Sequence, residues 1–204
     1  MSGSARKPVL RHRDRVAGPW ANGGGITFEV LRSPRDGTDF DWRISIAEIS
    51  SDGPFSPYPG VDRVLILLSG AMDLVIDGVS RQVPRFSPIA FAGESDVEAR
   101  LSQGPTMDLN VMTRRGRVDA HVDLLTGPVV ALGHARAAAR AVIVLDGTWT
   151  GAGVSPSLEA WDCLVIPEAT TLRGDGTLAC VTFRPRGPEP RVGPAITCSA
   201  RSRV

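Results

Sequence analysis

The sequence predicts an all-β fold: two double-stranded antiparallel β-barrel (jelly-roll) halves packed in one chain. Three observations predict it. Short apolar, β-branched runs alternate with polar residues along most of the 204 positions. Glycine (22) and proline (16) are spread between those runs as turn punctuation. The second half also repeats the first, weakly, at about 77 residues, which is too long for a solenoid and about the size of one small barrel.

Residues 1–15 carry Arg6, Lys7, Arg11, Arg13 and Arg15 against Asp14 alone, and read as a flexible, solvated basic terminus rather than a nucleic-acid arm. Strands are expected over 26–31, 41–49, 64–68, 72–76, 87–92 and 107–112. Ser33-Pro34-Arg35-Asp36-Gly37, Ser51-Asp52-Gly53-Pro54, Ser69-Gly70, Asp77-Gly78 and Ala92-Gly93 separate them. Residues 133–142, rich in alanine and arginine, are the one stretch that looks helical, with a strand beginning near Ala141. The repeat sets Val64-Leu65-Ile66-Leu67-Leu68-Ser69-Gly70 beside Ala141-Val142-Ile143-Val144-Leu145-Asp146-Gly147, and 107–112 beside 178–183. Residues 16–117 thus form a first half and 118–186 a second, with 187–204 as a loose tail.

Hydrophobic residues make up 42% of the chain, enough for a sizeable core. A net charge of +1 argues against a dedicated nucleic-acid binder. No run approaches the roughly 18 apolar residues of a membrane span, and Met1 is not followed by a secretory h-region. Cys163, Cys180 and Cys198 lack CxxC spacing and fit buried thiols in a reducing compartment. The expected location is cytoplasmic, with no membrane or nucleic-acid partner and a homodimer possible.

Period-two alternation then selects candidate site residues. On 41–49, Arg43 and Ser45 share one face while Trp42, Ile44 and Ile46 share the other, where Glu48 also lies. On 107–112, Asp108, Asn110 and Met112 share a face. If both polar faces turn into the first barrel, Arg43, Ser45 and Asn110 line one cavity, and Arg63 adds a second guanidinium. Arginine's planar fork suits a carboxylate. Asp108 then holds an arginine in place or receives a cationic group of the ligand; equally, Arg43 with Asp108 reads as an ion pair bracing two strands. Asn22-Gly23-Gly24-Gly25 is either an anion-holding nest or a tight strand entry. Phe55-Ser56 is placed to form a lid or an ordinary surface loop, and Trp20 and Trp42 read as core.

Five words occur in order: Trp20-Ala21-Asn22-Gly23-Gly24-Gly25-Ile26-Thr27-Phe28-Glu29, Trp42-Arg43-Ile44-Ser45-Ile46-Ala47, Gly53-Pro54-Phe55-Ser56, Pro59-Gly60-Val61-Asp62-Arg63 and Asp108-Leu109-Asn110-Val111-Met112-Thr113-Arg114-Arg115. Together they resemble the HutD/Ves family over roughly residues 16–117. The resemblance implies a bicupin fold and, for HutD members, an association with bacterial histidine utilisation through binding of a small pathway molecule. A metal-dependent cupin needs converging histidines and a carboxylate. His12, His121 and His134 are scattered, so no metal and no cofactor are expected. The candidate ligand-binding set is Asn22, Gly23, Thr27, Arg43, Ser45, Phe55, Ser56, Arg63, Asp108, Asn110 and Met112, with no catalytic residue assigned. The expected ligand is an amino-acid-derived carboxylate, such as urocanate or a formylated or formiminated glutamate. The alternative is a metal-independent isomerase or hydrolase with Asp108 or Glu48 as general base.

Overall fold

The structure, a computed structural model, describes residues 7–134, 137–186 and 196–202. Twenty strands follow in chain order: β1 (Val9–Leu10), β2 (Ala17–Pro19), β3 (Gly25–Ser33), β4 (Trp42–Ile49), β5 (Gly53–Pro54), β6 (Val61–Ser69), β7 (Met72–Ile76), β8 (Val79–Gln82), β9 (Pro88–Ala92) and β10 (Val97–Leu101). They continue as β11 (Thr106–Arg114), β12 (Val118–Thr126), β13 (Val129–Leu132), β14 (Ala139–Val144), β15 (Trp149–Gly151), β16 (Val154–Leu158), β17 (Cys163–Val165), β18 (Thr170–Gly174), β19 (Thr177–Pro185) and β20 (Ile196–Ser202). Among the described residues the only helical element is a 3-10 turn at His12–Asp14. The expected helix over 133–142 is not formed: Ala139–Val144 is strand, paired on both sides by β17 and β19. Its run Val142-Ile143-Val144 is fully buried, so tertiary pairing overrides the helix propensity of the alanines.

The chain divides into two compact units, one of residues 15–118 and one containing residues 7–14, 119–186 and 197–202. In the first, a six-stranded sheet of order β2-β3-β4-β11-β6-β9 and a four-stranded sheet of order β5-β10-β7-β8 enclose one apolar cluster. Leu65 and Leu67 of β6 meet Leu74 of β7 and Val97 and Ala99 of β10 there. In the second, the orders are β1-β17-β14-β19-β12-β20 and β13-β18-β15-β16, around Val142, Val144, Trp149, Leu158, Leu172 and Leu178. The hydrogen-bond ladders form open sheets rather than a closed barrel.

The two units repeat one strand plan, β9-β6-β11-β4-β3 answering β17-β14-β19-β12-β20. The turn after the central strand shows why the sequences align. Gly70 has φ +81°, and a Cβ there would lie 2.6 Å from Thr106 Oγ1; Gly147 has φ +77° and would meet Asp175 O at 1.9 Å. Each turn runs against a neighbouring backbone that only glycine admits.

Two terminal expectations are corrected. Residues 7–14 are not a loose basic arm. β1 pairs with β17, Lys7 Nζ donates to Ala152 O at 3.0 Å, and Arg11 binds Asp162 at 2.7 Å and the carbonyls of Ser157 and Pro156. The charges of Lys7 and Arg11 are engaged in docking this segment on the second unit, while Arg13 stays exposed beside Asp14. The tail contains strand at Ile196–Ser202, beside β12; residues 187–195 lie outside the described residues, as does the side chain of Cys198.

Candidate functional site

A cavity of about 910 Å³ lies in the first unit, between the inner face of the six-stranded sheet, the start of β2 and the 54–58 loop. Its floor is written by strand register. Asn110 of β11 lies opposite Ser45 of β4, Met112 opposite Arg43, and Asp108 opposite Ala47. On the other side of β11, Asn110 faces Leu65 and Met112 faces Arg63 of β6. Alternation therefore delivers Arg43, Ser45, Arg63, Asp108, Asn110 and Met112 to one surface.

Arg63 is 5% exposed and Asp108 is fully buried. The Arg63 guanidinium sits over the rings of Phe91, Phe55 and Tyr58 at 4.9, 5.3 and 5.7 Å from their centroids. Such cation–π contacts contribute about 0.5–1 kcal/mol at exposed sites and about 2 kcal/mol when desolvated. Arg63 Nη2 donates to Asn110 Oδ1 at 2.8 Å, and Asn110 Nδ2 donates in turn to Asp108 Oδ1. This chain leaves Arg63 Nε and Asp108 Oδ2 without a hydrogen-bond partner in the interior. Burial pushes the Asp108 carboxyl up to about 7, against the pull of Arg63 and the Asn110 hydrogen bond. Burial lowers Arg63 to about 10, with Asp108 and Tyr58 opposing and Arg43 reinforcing the shift.

Arg43 does not pair with Asp108. Its Nε lies 3.0 Å from Glu29 Oε2, and Arg32 approaches the same carboxylate at 3.8 Å. The wall opposite is aromatic: Trp20 meets Phe55 edge-on at 6.1 Å, and its Nε1 donates to Thr27 Oγ1 at 2.8 Å. Glu94 at the rim is drawn down to about 2 by the Arg115 side chain that hydrogen-bonds it. The site thus offers a buried cation, a second arginine, two small polar side chains and an aromatic wall.

A family model described as HutD matches residues 12–181, most of the chain. The chain belongs to the HutD/Ves family. A curated relative, Protein Ves of Citrobacter koseri, is 41% identical over 134 residues, 64% of this chain and 68% of that protein. An uncharacterized 21.2 kDa protein in the hutC 3' region of Pseudomonas putida is 39% identical over 122 residues, covering 58% of this chain and 64% of that protein. Among solved structures, HutD from Pseudomonas fluorescens SBW25 superposes with a TM-score of 0.79 at 31% identity, over 88% of this chain and 99% of that one. Protein YlbA from Escherichia coli, with a TM-score of 0.64 and 10% identity over 93% of this chain and 94% of that one, shares the fold alone. This chain and these solved neighbours share an all-β, cupin-like architecture.

In this HutD/Ves protein the cavity gathers ten of the eleven candidate residues: Asn22, Thr27, Arg43, Ser45, Phe55, Ser56, Arg63, Asp108, Asn110 and Met112. Gly23 is not among the lining residues. It has φ +73° in a turn whose amides are already used: Gly23 N donates to Trp20 O, and Gly24 N donates to Asn22 Oδ1. The glycine run is therefore a tight strand entry and not an anion nest. Gly25 is required for packing, since a Cβ there would lie 2.4 Å from Glu48 O and 3.2 Å from the Trp20 ring. Glu48 is absent from the lining, and Trp42 is core.

Sequence reasoning missed Glu29 and Tyr58, and read Trp20 as core. Glu29 shares the face of Thr27 two residues earlier, so alternation contained that signal; Tyr58 sits in a Pro-rich loop, where periodicity carries none. Among the described residues no group of three or more His, Cys, Asp and Glu side chains is placed to hold a metal ion, and no helix is long and apolar enough to cross a membrane.

Proposed function

We propose that this protein binds a small amino-acid-derived carboxylate in the first-unit cavity and acts as a regulatory binding protein. The observation that carries this reading is Arg63, a buried cation braced by three rings, whose Nη2 meets Asn110 and whose Nε lacks a hydrogen-bond partner, in a cavity of ligand size. A carboxylate supplies both charge and planar acceptors to such a group. The hutC-region neighbourhood of the Pseudomonas putida relative favours intermediates of histidine degradation, namely urocanate and formylated or formiminated glutamate. The same reading takes the two units as the halves of a bicupin, needs no cofactor or metal, and places the protein in the cytoplasm, with a homodimer as its possible assembly.

Calorimetric titration with urocanate, N-formylglutamate and N-formiminoglutamate tests it. At least one binds, and Arg43→Ala weakens that binding by about tenfold or more, as expected for one charge-assisted hydrogen bond of roughly 1.5–3 kcal/mol. Absence of binding across the panel, or undiminished binding by the variant, defeats the assignment.

A second reading has one observation in its favour. A carboxyl raised to about 7 is suited to general acid–base work, so Asp108 is a candidate base for a metal-independent isomerase or hydrolase. Product formation lost in Asp108→Asn, with ligand binding retained, would establish that reading over the first.

A further inference from the structure

The charged side chains that line the cavity floor balance one another before any ligand arrives. Two cations, Arg63 and Arg43, meet two anions, Asp108 and Glu29, with Arg43 held 3.0 Å from Glu29 and Arg63 joined to Asp108 through Asn110. The cross-strand neighbours of Asp108 are Ala47 of β4 and Leu67 of β6, neither of which carries charge. Tyr58 on the loop acts on Arg63, and Glu94 and Asp96 stand among the lining residues. A carboxylate brought to this floor therefore adds an uncompensated negative charge beside the buried Arg63 and Asp108, a costly condition.

We propose that the carboxylate enters together with one proton, which Asp108 holds while the ligand is bound. This rests on the carboxylate-binding reading above and adds its charge balance. Asp108 is the group placed to accept the proton, because Oδ2 has no hydrogen bond to lose and Oδ1 keeps its bond from Asn110 on protonation. Glu29 is a poorer acceptor, since it is engaged by Arg43 and approached by Arg32, and its side chain is 41% exposed. The Asp108 carboxyl, already raised to about 7 by burial, needs only a modest further push from an incoming anion. The sign follows from linkage. Below about pH 7 Asp108 already carries its proton and affinity is flat; above it, binding takes up a proton and affinity falls by up to tenfold per pH unit. The site would thus report acidity and ligand together.

The test is calorimetry of the full chain with urocanate and with trans-cinnamate, a flat monocarboxylate with no other titrating group. Each is run near pH 8 in buffers of different ionisation enthalpy, so that proton uptake is read from the unmodified protein. Uptake approaching one proton with both ligands is expected, falling to none in Asp108→Asn once circular dichroism shows that variant folded. Glu29→Gln, which leaves Arg43 unbalanced, should lower the uptake. Binding with heats independent of buffer overturns the inference and leaves carboxylate binding standing. Uptake with urocanate alone puts the proton on the imidazole and also overturns it. If neither binds, the same measurement is made with N-formylglutamate and N-formiminoglutamate, and silence across that panel removes the carboxylate reading itself.

Discussion

The two units place an arginine at the same point of the same strand plan and surround it differently. Aligning Val64 with Ala141 sets Arg63 of β6 against Arg140 of β14. Ladder partners then set Asn110, opposite Leu65, against Cys180, opposite Val142. Asp108, opposite Leu67, falls against Leu178, opposite Val144. Even the contact persists: Arg63 donates to Asn110 at 2.8 Å and Arg140 Nε to Cys180 Sγ at 3.3 Å. What differs is the acceptor behind it and the filling above it. The second unit has Leu178, and Trp149, Leu158 and Leu172 close its interior, each fully buried. That filling leaves Trp149 Nε1 without a partner, a cost of about 1–3 kcal/mol that the packing of a whole indole outweighs. The first unit instead keeps its space open over a buried carboxylate.

The largest expected effect lies in the filled unit. Trp149→Ala removes a fully buried indole and should cost about 3–5 kcal/mol in denaturant unfolding, with carboxylate binding by the first unit unchanged if the units are functionally separate. Arg63→Met comes next, since it strands Asp108 as a buried charge and should cost about 3 kcal/mol near pH 8. Adding Asp108→Leu, the residue found in the second unit, should recover most of that loss while abolishing carboxylate binding. A double variant as unstable as the single one would break the comparison.

A pH profile sharpens it further. The folded-state value of Asp108 is raised, so its stabilising contribution is complete below the unfolded value near 4 and is lost as pH rises to about 7. Relative to Asp108→Asn, the unliganded parent should therefore lose on the order of a few kcal/mol across that window, about 1.4 for each pH unit, and then level off, as followed by thermal unfolding. The smallest effect is Arg140→Met, about 1 kcal/mol or less with no such pH dependence, because Leu178 leaves no charge behind.

Much of this was legible from alternation. Arg43 and Ser45 on one strand and Asp108, Asn110 and Met112 on another must share faces, and a period of two suffices to see it. The partner of Arg43 was harder to assign, because the β3 register shifts between Glu29 and Leu31, and it is this bulged strand that brings Glu29 to the arginine. The 133–142 stretch misled through its alanines, since local propensity says nothing of two flanking strands. Arg11 looked like solvated charge because its partner, Asp162, is 151 residues away. The glycine run showed a strained turn but not which way its amides point, and these point inward to Trp20 and Asn22.

The most direct test of the account is a crystal structure of the protein soaked with 4-bromocinnamate, read by bromine anomalous scattering. A peak is expected inside the first-unit cavity against the Trp20–Phe55 wall, with the carboxylate at Arg43 and Arg63. No peak is expected among Trp149, Leu158 and Leu172. An empty cavity at saturating ligand, or bromine found only elsewhere, would contradict it.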